Sequence, residues 1–139
     1  MKAVFADTHY WIAVASPGDP FAAAAKKAKD LLGPVILVTT DEVLTEFLAA
    51  LCKGGPALRQ AAVKMVRAIM ANGNVRVIPQ SRDTFLKGLN RYQNREDKQY
   101  SLTDCISMNT MEAEAIREVL TNDHHFEQEG MAVLISQVP

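Results

Sequence analysis

Short runs of β-branched residues alternate with longer helical runs along this chain, and this order constrains its fold more than any other feature. The pattern predicts strands over 2–6, 35–38, 75–78, 118–121 and 133–135. It predicts helices over 20–32, 41–53, 57–72, 83–92 and 103–117, with short helical turns after Asp7 and Asp123. Such alternation indicates a parallel sheet with helices on both faces. Ligands of open sheets of this kind bind at the carboxyl ends of the strands.

The size and charge of the chain limit the classes of protein it can belong to. Its 139 residues suit one domain, expected to span 1–139, and 48% of them are hydrophobic, enough for a packed core. A formal charge of −1 argues against a protein that holds nucleic acid by bulk charge, but it leaves room for a local nucleic-acid site. No apolar run approaches the roughly 18 residues of a membrane span, and the N-terminus lacks the features of a signal peptide. We therefore expect a cytoplasmic protein with no membrane association.

The cysteines and histidines argue against a zinc site. Cys52 and Cys105 lie in segments predicted to be helical, and reduced thiols are the default in a cytosolic protein. The sequence contains no CxxC motif. His124 and His125 are adjacent, so on a helix their side chains would point about 100° apart.

Two aspartates stand just beyond predicted strands, where parallel sheets bind ligands. Asp7 comes directly after the first strand, and Asp123 follows the strand predicted over 118–121. Each also fits the N-cap of the helical turn that follows it. Neither residue alone separates a functional role from a structural one.

Glu46 is a third acid of interest, within the helix predicted over 41–53. Thr39 and Glu42 fit a capping box, which gives Glu42 a structural role but provides none for Glu46. On a helical wheel Glu46 lies at the border of the apolar stripe, beside Ala50. A solvated glutamate is the alternative at such a border.

Asp104 is the most informative of the acids. It shares a helix face with Met108 and Met111, which follow it by four and seven residues, so its side chain is expected to point inward. A capping box with Ser101 accounts for an aspartate in the first helical turn. It accounts less well for an aspartate on the same face as methionines.

Together the four acids predict more than each does alone. If Asp7, Glu46, Asp104 and Asp123 converge, they form a cluster of like charges in a partly dry place, which is unfavourable unless protons or cations neutralise it. A hard divalent cation such as Mg²⁺ or Mn²⁺ binds oxygen ligands of this kind. Two such ions can activate a water and stabilise the leaving oxygen of a phosphodiester. A site of this design reconciles the charge of −1 with a nucleic-acid substrate.

Two motifs in the second half of the chain resemble the signatures of PIN-domain ribonucleases. Residues 100–107 read YSLTDCIS, similar to the family's S-L-T-D-C-I-S, and residues 120–128 read LTNDHHFEQ, similar to its L-T-x-D-x-H-F-E-Q. Asp7-Thr8 and the segment VLTE over 43–46 complete the family's acidic quartet. The order and spacing match over essentially the whole chain. Within the family, the chain resembles the VapC-type toxins of bacterial toxin–antitoxin pairs.

The resemblance implies a Mg²⁺- or Mn²⁺-dependent endoribonuclease folded as a three-layer α/β/α sandwich around a central parallel sheet. It implies a homodimer, inhibited by a small antitoxin whose C-terminal tail enters the active-site groove. Carried onto this chain, the metal ligands or water activators are Asp7, Glu46, Asp104 and Asp123. Hydroxyls that orient these carboxylates are then expected on Thr8, Thr103 and Thr121. Ser101 is expected to cap the helix that carries Asp104.

The chain departs from the family pattern at two histidines. Many relatives carry Ser where this chain has His9 and Arg where it has His124. Both positions are candidates for contact with substrate or antitoxin, and histidine there would be charged only part of the time near neutral pH. Ordinary, partly exposed packing is the alternative for His124 and His125.

Basic residues precede the Asp104 motif and are candidates for an RNA-backbone track. Those in question are Arg82, Lys87, Arg91, Arg95 and Lys98. With His124, the residues predicted to bind substrate are Arg91, Arg95 and Lys98. A solvated face is the alternative, because Glu96 and Asp97 interrupt the run. The apolar residues Ala22 to Ala25, Leu44, Leu48 and Leu51 either extend the core or form a dimer or antitoxin interface.

Other functions remain open from the sequence. A PIN-fold RNA-processing nuclease that is not a toxin, and a catalytically silent binding protein with the same fold, would share these motifs. Phosphoryl transfer through Asp7 as an aspartyl nucleophile is a further alternative. Such enzymes usually need a positioned lysine, and none follows a predicted strand end closely. A binder would have no reason to keep four mutually repelling acids.

Overall fold

A parallel sheet of five strands forms the centre of the protein in the computed structural model, which describes residues 1–135. The strands are β1 (Ala3–Ala6), β2 (Ile36–Thr40), β3 (Val75–Ile78), β4 (Glu118–Leu120) and β5 (Ala132–Val133). Their spatial order is β3-β2-β1-β4-β5, and every neighbouring pair is parallel. The α/β fold with a central parallel sheet, predicted from the alternating pattern, is confirmed.

Within residues 1–135, six α-helices and one 3-10 helix connect the strands. The α-helices are α1 (Thr8–Ala15), α2 (Ala22–Leu32), α3 (Asp41–Leu51), α4 (Pro56–Ala71), α5 (Arg82–Gln93) and α6 (Leu102–Ala113). The 3-10 helix covers His124–Glu129. The turn expected after Asp7 is a full helix of two turns. Helix α6 ends four residues before the predicted boundary, because the chain turns into the left-handed region at Ala115 (φ 55°).

The chain reverses its direction along the sheet after β3. The first connections carry it from β1 outward to β2 and β3, and the α5–α6 pair then carries it back to β4 on the other side of β1. The reversal makes β1 and β4 neighbours whose onward connections run in opposite directions along the sheet. The crevice between the carboxyl ends of β1 and β4 is therefore the place where a sheet of this order binds ligands.

The core lies between the sheet and both helix layers. Its largest fully buried side chains include Phe5, Phe47, Phe126, Met108, Met111 and Leu120. Leu44 is buried, and Leu48 and Leu51 pack against the core. Of the two alternatives for these leucines, a larger core and an interface, the structure therefore favours the larger core. Large apolar residues are instead exposed along α5, at Phe85, Leu86, Leu89 and Tyr92.

Through residue 135, the protein has no helix long and apolar enough to cross a membrane.

The start of α3 differs from the predicted capping box. Thr40, not Thr39, caps the helix, and its hydroxyl accepts from the amide of Val43 at 3.1 Å. Strand β2 extends two residues further than predicted, so Thr39 belongs to the sheet, and its hydroxyl donates to the carbonyl of Ala6 at 2.9 Å. Glu42 instead accepts from the hydroxyl of Thr84 on α5, at 3.1 Å.

Candidate active site

The carboxyl ends of β1 and β4 bring two of the predicted acids to one edge of the sheet. Asp7 is the first residue after β1, and Asp123 lies three residues after the end of β4. The amide of Asp7 donates to the carbonyl of Leu120 at 3.2 Å, so the two strand ends are joined directly. This edge is the crevice that the strand order predicts as a ligand site.

Asp7 is almost completely buried, with 2% of its surface exposed. Its Oδ2 accepts from the hydroxyl of Thr121 at 2.9 Å. Its Oδ1 is buried and accepts no hydrogen bond from the residues the structure describes. A buried carboxylate oxygen without a partner is costly, so its position points to a ligand such as a cation.

Glu46 reaches the same edge from α3. The hydroxyl of Thr8, the first residue of α1, donates to Glu46 Oε1. Thr8 is itself buried, whereas Glu46 is half-buried. Thr8 therefore fixes the direction of a carboxylate that keeps access to solvent.

Asp104 enters the site from the first turn of α6. It forms the capping box with Ser101, in which Asp104 Oδ2 accepts from the Ser101 amide and the Ser101 hydroxyl accepts from the Asp104 amide, both at 3.0 Å. Burial raises the pKa of Asp104 to about 6, against the lowering effect of the Ser101 amide. The negative charges of Asp7, Asp123 and Glu46 contribute smaller parts of the same upward shift in the pKa of Asp104. Asp104 is thus a cap and also a member of the acidic cluster.

His125 joins the cluster beside Asp104 and Asp123. Its Nδ1 lies 3.3 Å from Asp123 Oδ1 and 3.7 Å from Asp104 Oδ2. Donor atoms of these three residues all lie within 4.8 Å of one another, close enough to hold a metal ion together. Asp123 also caps the 3-10 helix, because its Oδ1 accepts from the His125 amide at 2.9 Å. His125 was not among the predicted metal ligands; its place two residues after the strand-end aspartate Asp123 is the signal that could have found it.

His9 borders the site on the side of Asp7. Its Nδ1 lies 3.2 Å from Thr121 Oγ1 and 3.6 Å from Asp7 Oδ2, and the ring is partly exposed. The Asp7 carboxylate beside the ring raises the pKa of His9, burial of the ring lowers it, and the negative charges of Asp123 and Glu46 raise it. A positive charge on His9 offsets part of the charge of the acidic cluster.

The PIN-domain model matches residues 4–129 of the sequence. The chain belongs to the PIN-domain family. The prediction from the two C-terminal motifs is thereby confirmed. No curated protein sequence matches the chain significantly.

Two solved structures resemble this PIN domain. VapC20 of Mycobacterium tuberculosis, described as a toxin that cleaves the sarcin-ricin loop, is 26% identical with a TM-score of 0.82. The match covers 93% of this chain and 96% of the VapC20 chain, and it confirms the resemblance to VapC-type toxins. A chain of a toxin–antitoxin complex from Klebsiella pneumoniae is 20% identical, with a TM-score of 0.60 and 87% of each chain covered. At that identity the likeness shows the fold alone.

The basic residues of this PIN domain do not form the open track that was expected. Arg91 is 9% exposed, and its guanidinium donates to Glu129 at 2.7 Å, to Asn109 at 2.7 Å and to Glu112. Arg95 donates to Glu129 as well, at 3.1 Å. Helix α5 ends at Gln93, so Arg95 lies beyond the helix that carries Lys87 and Arg91. Two of the predicted RNA contacts are therefore engaged within the protein.

The remaining predicted residues differ in their surroundings. Lys98 is partly exposed and lies 3.5 Å from Asp97. His124 is exposed, and its ring contacts the carboxylate of Glu127 one turn later. Thr121 and Thr8 hold Asp7 and Glu46 as the orienting role requires. Thr103 is half-buried and, within residues 1–135, its hydroxyl makes no hydrogen bond to a carboxylate of the cluster.

Proposed function

We propose that this PIN domain is a Mg²⁺- or Mn²⁺-dependent endoribonuclease and the toxin of a toxin–antitoxin pair. The observation that carries the proposal is the buried, unpartnered Oδ1 of Asp7, at the sheet edge that also bears the close pair Asp104 and Asp123. We infer that Glu46, whose carboxylate accepts from Thr8, completes the site. Similarity to VapC20, which is described as a sarcin-ricin-loop-cleaving toxin, supports RNA as the substrate class. We expect the protein to act in the cytoplasm, where such a substrate is found.

The donors at the site fit a hard divalent cation. Carboxylate oxygens predominate, and the unpartnered Oδ1 of Asp7 gains a partner when a cation binds. We assign Asp7, Asp104 and Asp123 as the residues that hold it. Once bound, the cation supplies a nucleophile at neutral pH and stabilises negative charge on the phosphate and its leaving oxygen.

Glu46 is assigned the role of accepting a proton from the attacking water. It is half-buried, so water reaches it, and the Thr8 hydroxyl holds its carboxylate in one direction. Lys98 and His124 keep the role of contacts to the RNA backbone, since both remain accessible. We do not propose Arg91 and Arg95 as RNA contacts, because the guanidinium groups of both donate hydrogen bonds to Glu129.

Partner proteins form part of the proposal. We infer an antitoxin and a homodimer, which hide apolar surface that one copy leaves in water. The exposed apolar residues Phe85, Leu86, Leu89 and Tyr92 of α5 are the candidates for such contacts. Sedimentation of the wild-type protein and of a Leu89→Glu variant measures whether this helix supports self-association.

Cleavage by metal-stripped and reloaded protein tests the proposed activity. The protein is treated with EDTA and assayed on an RNA that contains the sarcin-ricin loop, with and without added Mg²⁺ or Mn²⁺. We expect cleavage only with metal and its loss in Asp7→Asn and Asp104→Asn, both still folded by circular dichroism. Asp30→Asn is the control, because Asp30 is exposed, pairs with Lys26 on α2 and lies outside the cluster. Equal cleavage after EDTA treatment would contradict the mechanism.

A gain in thermal stability with metal is the second readout. A ligand that binds only the folded state raises its melting temperature. We expect Mg²⁺ or Mn²⁺ to raise the melting temperature of the wild type but not that of Asp7→Asn. Cation binding without cleavage of any RNA tested would instead favour a silent binding protein.

A further inference from the structure

We propose that His125 is a ligand of the cation, so that the site has a mixed oxygen and nitrogen donor set. The inference rests on the proposed metal-dependent function and deepens it. A ring nitrogen of His125 and one carboxylate oxygen each from Asp104 and Asp123 lie within 4.8 Å of one another. From the sequence, ordinary packing was the alternative for His125, and the predicted metal site consisted of the four acids alone.

The surroundings of Nδ1 favour a ligand over a packing role. The atom is buried and has no hydrogen-bond partner in the described part of the chain, although Asp123 Oδ1 lies only 3.3 Å away. The same Asp123 oxygen accepts from the His125 amide. The buried Oδ1 of Asp7 is likewise unpartnered at this edge of the sheet. A cation held by His125 together with Asp104 and Asp123 gives Nδ1 the partner that it lacks.

A chain of contacts behind His125 holds its ring in place. The ring of Tyr100 packs against that of His125, with centroids 5.5 Å apart at a tilt of 58°. The Tyr100 hydroxyl donates to Glu129 at 2.8 Å, and Arg91 and Arg95 donate to the same carboxylate. Metal-binding histidines usually have such support, because a fixed ring loses less freedom when the ion binds.

An imidazole ligand changes which cation the site prefers. Mg²⁺ favours oxygen donors almost exclusively, whereas imidazole nitrogen suits transition metals better. We therefore expect the site to bind Mn²⁺ more tightly than Mg²⁺, and His125 to account for most of the difference.

Electron spin-echo spectroscopy of bound Mn²⁺ tests the assignment without any activity measurement. The full chain is stripped of metal, loaded with one equivalent of Mn²⁺ and examined for coupling between the manganese spin and a nitrogen nucleus. We expect coupling in the wild type, its loss in His125→Asn, and its retention in His124→Asn. His124 is the matched control because it is adjacent but exposed, and its ring contacts Glu127.

Titration of the same proteins gives the second readout. We expect His125→Asn to weaken Mn²⁺ binding about tenfold or more and to change Mg²⁺ binding much less, while His124→Asn leaves both unchanged. Stoichiometric Mn²⁺ binding without nitrogen coupling, or coupling that survives in His125→Asn, would overturn the assignment and leave the proposed function standing. Failure of the wild type to bind Mn²⁺ or Mg²⁺ at all would overturn both.

Discussion

Thr121 donates its hydroxyl to Asp7 Oδ2 at 2.9 Å and thereby joins the end of β4 to the end of β1. The hydroxyl oxygen of Thr121 in turn accepts from the amide of Asp123 at 3.1 Å. One buried hydroxyl thus orients two acids that lie 116 residues apart in the sequence. Because it contacts both, Thr121 controls the geometry of the cluster more directly than any other neutral residue described there.

Replacement of Thr121 by Val tests this control. Val keeps the shape of the side chain but leaves Asp7 Oδ2 without its donor, so we expect cation affinity to fall about 10- to 100-fold. We expect the free energy of unfolding to fall by about 1–3 kcal/mol, because a buried carboxylate loses a hydrogen bond. Calorimetric titration and urea denaturation measure the two effects. Thr121→Ser keeps the hydroxyl and should retain most of the cation affinity and of the free energy of unfolding. Equal losses of these two quantities in Thr121→Ser and Thr121→Val would contradict the role of the hydroxyl.

Asp104→Asn should stabilise the cation-free protein at pH 7.5. The raised pKa of Asp104 means that its ionised form is disfavoured in the folded state. Removing that charge gains up to about 3 kcal/mol, at about 1.4 kcal/mol for each pKa unit. The amide oxygen of Asn can still accept from Ser101. Urea denaturation in EDTA measures the gain, and the variant should no longer be stabilised by added Mg²⁺ or Mn²⁺. An Asn variant less stable than the wild type in EDTA would count against charge crowding.

The stability difference between wild type and Asp104→Asn should depend on pH. A carboxyl with a raised pKa contributes stability while it is protonated, fully below its ordinary value near 3.8, and loses that contribution as the pH rises through about 6. The wild type in EDTA should therefore lose stability relative to the variant between about pH 4 and pH 7. Cation affinity should rise over the same range, since the ligand must be deprotonated. Melting curves of both proteins at several pH values measure the difference, and a constant gap would exclude the raised pKa.

Arg91→Met should destabilise the fold strongly. The guanidinium is buried and joins α5 to Asn109 and Glu112 of α6 and to Glu129 of the 3-10 helix. Removing one partner of a buried ion pair costs about 3–5 kcal/mol, because the remaining charge stays buried. Chemical denaturation measures this loss. Lys87→Met removes only an exposed pair with Asp83 and should change stability by less than about 1 kcal/mol. A small loss in Arg91→Met would mean that the pair is not buried in solution.

Gly88→Ala tests the close packing of α5 on α6. A Cβ at Gly88 would lie 2.5 Å from Ile106 Cγ1, which is too close for two carbon atoms. Alanine favours helices by about 1 kcal/mol over glycine, but overpacking costs about 1–3 kcal/mol. We therefore expect Gly88→Ala to lower the melting temperature. Gly73→Ala has open space around it and serves as the control. A higher melting temperature in Gly88→Ala would show that the helices separate easily.

The residue pattern was sufficient for the fold class because each strand and helix depends mainly on its own neighbours in sequence. Strand β3 lies where the β-branched run at 75–78 predicts it. The capping box of Ser101 and Asp104 is also local, and it occurs as the spacing suggests. The error at Thr39 has a non-local cause, since pairing with β1 and β3 extends β2 to Thr40.

The roles of Arg91 and His125 were not accessible from local pattern. Arg91 looks like one of several helix-surface cations, and only the packing of α6 and the 3-10 helix around it buries it beside Glu129. His125 looks like a neighbour of His124, yet the irregular turn after Asp123 directs one ring into the cluster and the other into solvent. Both outcomes depend on contacts between residues far apart in the chain.

The sequence by itself determined the order of the strands and helices and the identity of the acids, because periodicity and short motifs are properties of neighbouring residues. Only the tertiary structure decided that the ends of β1 and β4 carry Asp7 and Asp123 to one sheet edge, that Asp104 and His125 lie beside Asp123, and that Arg91 is buried against Glu129. The physical reason is that the order of parallel strands brings the ends of β1 and β4 together, and burial there sets the charge and contacts of each side chain.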